Sequence, residues 1–136
     1  VQACYRGPRL YDCEATRRLV KQWVDFYKRH RAILEADIIH LRRPDGQDLD
    51  GVLHVHPQLP ERALLMVFNP LSVAVQRSVS VPLYYAGLDR EAWVREQEGP
   101  AQRYPLDRQH RVELPVALPA GERTWFVFAA AGPRGT

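Results

Sequence analysis

The chain has 136 residues, of which 46% are hydrophobic and 26% charged, the balance of one ordinary globular domain with enough apolar surface for a core. Its net charge of +3 is not pooled, because basic residues interleave with acidic ones, and the one-signed, aromatic-lined stripe that nucleic acid requires is not seen. The longest apolar runs, such as Ala63 to Phe68, are far too short to span a bilayer, and no residue pattern calls for a cofactor.

Val1 to Tyr11 reads as an irregular stretch holding Gly7 and Pro8. The chain opens in mid-pattern with no Met, which points to the tail of a larger protein. Asp12 is a plausible N-cap, since its carboxylate can accept from free backbone N–H groups of the first turn. Glu14 in that turn suits the helix dipole. Leu19, Val20, Trp23, Phe26, Tyr27, His30, Ile33 and Leu34 then recur at spacings of three and four. This marks one apolar face on a long amphipathic helix, from Glu14 to about Ile39. Arg17, Arg18, Lys21, Lys28, Arg29 and Arg31 alternate with Glu14, Asp25 and Glu35, which describes a solvated face laced with pairs three and four residues apart.

The pattern changes at Pro44, which disfavours helical geometry at Arg43. Pro44, Asp45 and Gly46 make a turn, and strands follow. Leu49 to Val55 alternates around His54. Ala63 to Asn69 is continuously apolar, as in a strand buried on both sides. Arg77 to Tyr85 alternates, with Val79, Val81 and Leu83 on one face and Ser78, Ser80 and Pro82 on the other. Ala92 to Gln97, Gln102 to Leu106, Arg111 to Leu118 and Thr124 to Ala129 continue the series, separated by Pro, Gly and Asp-rich turns. The expected fold is mainly β, an antiparallel β-sandwich preceded by one long helix. Val79, Val81 and Leu83 are expected to share a core with Leu65, Val67, Trp125 and Val127.

Candidate chemistry is sparse. Asp45, Asp48 and Asp50 cluster on a loop that could offer oxygen ligands to calcium, but the spacing is not that of an EF-hand, and a charged turn is the simpler account. His54 and His56 stand two apart on a strand and so share a face, the start of a metal site or a solvated pair. Cys4 and Cys13 form no CxxC pattern and are either one bridge or two buried thiols. Glu96 and Glu98, with Asp89 and Glu91, are carboxylates near a strand end and a turn. Among the aromatic residues Trp125 sits in an apolar run. Tyr84 and Tyr85 are expected on opposite faces. Trp93, beside Arg90 and Glu91, is the best candidate for a surface ring that could stack on a sugar.

Several stretches carry a resemblance as a set: WVDFYKRHRAILEADIIH (Trp23 to His40), RRPDGQDLDG (Arg42 to Gly51), ALLMVFNPL (Ala63 to Leu71), VPLYYAGL (Val81 to Leu88), VREQEG (Val94 to Gly99) followed by YPLDR (Tyr104 to Arg108), and LPAGERTWFVF (Leu118 to Phe128). Together they resemble the C-terminal part of bacterial glycoside hydrolases of the α-galactosidase-like kind, in which an antiparallel β-sandwich follows a (β/α)8 catalytic barrel. The resemblance implies that residues 1–43 are the end of such a barrel with its last helix and that 44–131 are the sandwich, and the short Gly- and Pro-containing end, 132–136, reads as a disordered tail. It also implies a carboxylate pair for glycosidic cleavage. In barrel enzymes that pair stands at the C-terminal ends of barrel strands, upstream of Val1, so no catalytic residue falls in this chain. Tyr5 and Arg6, in a late barrel loop, would then line the outer rim of the sugar site. The expected role is a non-catalytic accessory domain buttressing the barrel. The alternatives are a carbohydrate-binding module, or an interaction domain unrelated to sugars. Two or more exposed coplanar rings would favour binding, and an apolar patch on the helix would favour an interdomain role.

Overall fold

The computed structural model describes residues 13–133, so Tyr5, Arg6, Cys4 and the Asp12 cap lie outside the described residues. The chain divides into two compact units, with the boundary between Arg31 and Ala32.

The described part of the first unit is most of one helix, α1, Glu14–Leu34. Its first backbone bond runs from the Arg17 N–H to the Cys13 carbonyl (3.1 Å). The expected charge ladder is present: Glu14 faces Arg17 and Arg18 at 3.6 and 3.7 Å, and Lys21 donates to Asp25. All are solvent-exposed, where water screens them and they add little to stability. The apolar stripe is graded along the helix. Leu19 is 48% exposed, Trp23, Phe26 and Tyr27 are half-buried, and His30 and Ile33 are buried. Trp23 meets Phe26 edge-on at 5.4 Å, and Phe26 meets His30 at 4.9 Å.

The helix stops at Leu34, short of the expected Ile39. The Ala36 N–H closes a turn onto the Ile33 carbonyl (3.2 Å), and Asp37–His40 forms a strand, β1. The three-and-four spacing continues through Ile38 and Ile39 only by coincidence. Both are β-branched, and their backbone groups pair with the strand Asp50–Val55 (β2), with Ile38 opposite His54 and Ile39 opposite Leu53. The sheet therefore begins ahead of Pro44.

The remaining strands are β3 (Glu61–Phe68), β4 (Val75–Pro82), β5 (Glu91–Glu96), β6 (Gln102–Pro105), β7 (Arg111–Leu118) and β8 (Arg123–Ala129). They form two antiparallel sheets, one of six strands in the order β1-β2-β3-β8-β5-β6 and one of two, β4-β7. The fold is a β-sandwich of unequal layers. Its core joins Leu53, Val55, Ala63, Leu65, Val67, Ala92, Val94, Phe126 and Phe128 of the large sheet to Val81, Val112, Leu114, Val116 and Leu118 of the small one. Strand β7 alternates without a fault, exposed then buried, from Arg111 to Leu118. Val81 and Leu83 lie in the core as expected, and Val79 packs partly against it.

Trp125 and Val127 do not belong to that core. The register Leu65↔Phe126 and Ala63↔Phe128 turns the two phenylalanines inward, and Trp125 and Val127 take the opposite face. Leu64 and Val127 are nonetheless buried there, so the central strands β3 and β8 are covered on both sides. An apolar run without alternation carries no sign of which parity faces the sandwich.

Two further corrections concern local structure. Tyr84 and Tyr85 are not on a strand, because the backbone turns at Leu83–Leu88, with Gly87 at φ 70° donating to the Tyr84 carbonyl. Both tyrosines are consequently exposed, at 62% and 67%. Gly132, expected in a disordered tail, lies against Trp93: a Cβ there would sit 2.8 Å from the indole.

Pro82 and Pro115 fall on the two strands of the small sheet, opposite Arg111 and Ser78 respectively. Both positions have the parity whose N–H points away from the partner strand. An imide nitrogen costs no ladder bond there and blunts an open edge. Asn69, at the end of β3, is buried. Its amide donates to the carbonyls of Val73, Leu118 and Pro119 (2.9, 3.1 and 3.0 Å), and its carbonyl accepts from the Leu71 N–H (3.0 Å). One side chain thus ties the large sheet to the end of β7.

Candidate functional site

A two-stranded layer cannot cover a six-stranded one. Where the small sheet ends at β7, the inner faces of β5, β6 and β8 have no third strand above them, and the space becomes an open groove of about 630 Å3. Val94, Leu114 and Phe126 give it an apolar floor. Glu96, Gln97, Glu98, Gln102 and Tyr104 supply the polar groups. The volume is that of a small-molecule site.

The polar groups are held in place by the β5–β6 hairpin. Glu96 closes β5 opposite Phe126. The buried Thr124 hydroxyl donates to Glu96 Oε1 (2.8 Å) and accepts from Gln97 Nε2 (3.2 Å). Gln97 sits in the left-handed region at φ 51° while its N–H donates to the Trp125 carbonyl (2.9 Å). A non-glycine residue there costs about 1–2 kcal/mol. The Gly99 N–H then donates to the Glu96 carbonyl (2.9 Å), and a Cβ on Gly99 would meet that oxygen at 2.9 Å. On the far wall the Tyr104 hydroxyl donates to Gln102 Oε1 (3.3 Å). Two carboxylates, two amides and a phenol therefore stand over a floor of buried core side chains, with no basic side chain among the described lining residues.

The sequence singled out Glu96 and Glu98, and both line this groove. Glu98 lies in the hairpin turn, past the end of β5, so the two carboxylates do not share a strand face. Gln97, Gln102, Tyr104 and Thr124 were not singled out. Gln97, Tyr104 and Thr124 fall within stretches that carry the resemblance, but a positive φ at a glutamine leaves no compositional trace.

Trp93 lies elsewhere. It is half-buried on the sheet face opposite the core, opposite Ala129 and Arg103. It lines a second cleft of about 640 Å3 with Arg95, Pro100 and the segment from Ala130 to Pro133. With Gly132 seated on its ring, it is not an open platform. Tyr84 and Tyr85 are exposed but meet edge-on at 84°, and Tyr84 meets His110 at 71°, so these two rings do not form a coplanar pair.

The aspartate loop is a knot of ion pairs. Arg42 donates to Asp45 (2.7 Å) and lies 3.9 Å from Asp50, while Asp48 pairs with Arg77. The Gln47 backbone N–H, reinforced by Arg42, holds the Asp45 carboxyl below its ordinary value. His54 is half-buried and His56 accepts from the Gln58 N–H (3.3 Å). Burial pushes the His54 pKa down against the opposing pull of a hydrogen bond to the Leu34 backbone. No group of three or more potential metal ligands occurs among the described residues. Cys13 is a free thiol, exposed rather than buried, 3.3 Å from the Thr16 hydroxyl. Compared with protein-family models and with curated proteins, the chain matches none.

Proposed function

We propose that this chain is a non-catalytic accessory β-domain of a glycoside hydrolase, buttressing a catalytic barrel through its helix. The observation that supports this most is the graded stripe on α1: Leu19 and Val24 are 48% and 38% exposed, and Trp23, Phe26 and Tyr27 stay half-exposed. An apolar helix face that remains open to this extent suits docking on a further protein surface. The edge-on tyrosines and the covered Trp93 also favour an interdomain role over a ring platform.

The test is Leu19→Glu made in two settings, the 136-residue chain and the product of the natural reading frame. In the isolated chain the change should be worth no more than about 0.5 kcal/mol, because the site is exposed. In the longer protein it should lower the melting temperature by several degrees. Equal, small effects in both settings would remove the support for an interdomain helix.

A further inference from the structure

We propose that the free edge of β1 is a self-association surface, pairing antiparallel with β1 of a second copy of this chain. The pairing does not depend on the accessory role.

Among the described residues the two sheets have four free edges: β1 and β6 on the large sheet, β4 and β7 on the small one. A row of unpaired N–H and C=O groups on such an edge is a template for another strand. Three of the four edges carry a proline among the residues that face outward. On β4 and β7 these are Pro82 and Pro115. On β6 the Leu106 N–H donates to the Arg90 carbonyl (2.8 Å), so the even-numbered residues face β5, and Arg103 and Pro105 face outward. The β1 edge has no such guard. The Leu41 N–H donates to the Gly51 carbonyl (3.0 Å), in step with Ile39↔Leu53, so Asp37, Ile39 and Leu41 turn their backbone groups to β2. Ile38 and His40 turn theirs outward, and neither is a proline, a lysine or an arginine. The Ile38 side chain is 54% exposed, a β-branched residue suited to a further cross-strand neighbour.

The symmetry of the segment selects the occupant. With Ile38 opposite His40 of the second copy, and His40 opposite its Ile38, the outward groups form two pairs of backbone hydrogen bonds about a two-fold axis at Ile39. The two Ile39 side chains then meet in the closer, non-hydrogen-bonded position, beside Leu41, on the face where both residues already pack partly against the core. Charge fits the same register. Asp37 and Arg43 are exposed at opposite ends of the segment and have no ion-pair partner among the described residues. Antiparallel pairing sets each Asp37 diagonal to Arg43 of the other copy, whereas parallel pairing would set Asp37 against Asp37. A strand of 4 residues buries well under the roughly 1,200 Å2 of a tight interface, so the dimer is weak, with a Kd on the order of 0.1 mM.

The test is sedimentation velocity of the 136-residue chain over a concentration series reaching about 1 mM, with 15N amide shifts recorded alongside. The sedimentation coefficient should rise toward that of a dimer, and the amides of Ile38 and His40 should shift with concentration. Ile38→Pro removes an outward N–H and no bond to β2, so it should abolish the rise while the melting temperature changes little. Ile38→Lys keeps every backbone group and should weaken association several-fold. Asp37→Arg and Arg43→Asp should each associate less than the parent chain, because like charges then meet across the axis, and should recover association when the two variants are mixed. A chain that stays monomeric throughout, a dimer indifferent to both Ile38 variants, or charge variants that fail to associate on mixing would each overturn the proposal. Protection of the Ile38 amide only in the longer product of the natural reading frame would assign the edge to another segment of that product, and would overturn the second copy as its occupant.

Discussion

At the scale of single residues, the fold depends on a few side chains whose surroundings leave them no alternative. Asn69 makes four side-chain hydrogen bonds from a buried position. Asn69→Ala leaves three carbonyls and one N–H to find new partners, so we expect a loss of roughly 2–4 kcal/mol in urea denaturation. Asp107 shows the same logic at the surface, where its carboxylate accepts from the Gln109 and Arg111 N–H groups (2.8 and 3.0 Å) to hold the turn before β7. His54 carries a pH dependence. Burial holds its pKa below the ordinary 6.5, so the folded state resists a proton that the unfolded chain accepts. Stability is full above pH 6.5 and is lost as the pH falls through the folded-state value. Asp45, already held below 3.8, loses its contribution only in stronger acid. In His54→Gln the urea midpoint should fall less between neutral and mildly acid pH than in the parent chain. Parallel curves would show that His54 is not the group responsible.

At the scale of elements, what could be read in the sequence followed the strength of each pattern. Strand β7 was legible in full because Arg111 to Leu118 alternates at every step. The turns between the strands were legible because Asp, Gly and Pro each act there by a local mechanism. The end of α1 was not, because the helical spacing runs on into Ile38 and Ile39, and only pairing with β2 decides their state. The parity of β8 was not, because Thr124 to Ala129 is apolar on both faces. Phe128→Ala should now cost about 3–5 kcal/mol, as a fully buried core residue. Trp23→Ala in the isolated chain should cost less, about 1–2 kcal/mol, because its ring is half-exposed. Thermal melts of the two variants side by side would check both, and a larger loss at Trp23 would contradict the graded helix stripe.

At the scale of the whole molecule, the unequal sandwich explains both its stability and its candidate site. Six strands supply a sheet wide enough to hold a core, and the two-stranded layer closes only part of it. The remainder is the groove beside the β5–β6 hairpin. Its carboxylates were visible in the sequence, but its existence was not, since groove formation depends on how many strands each layer holds. Val81→Asp would place a charge in the shared core, where Val81 is fully buried, and should abolish cooperative unfolding altogether. The proposed accessory role adds that the domain does no bond cleavage itself. That claim is tested most directly by assaying the purified 136-residue chain against aryl α- and β-glycosides, beside the full product of its natural reading frame. The account predicts no release of the aryl group by the chain and steady release by the longer protein. Turnover by the chain alone, abolished by Glu96→Gln or Glu98→Gln, would contradict it.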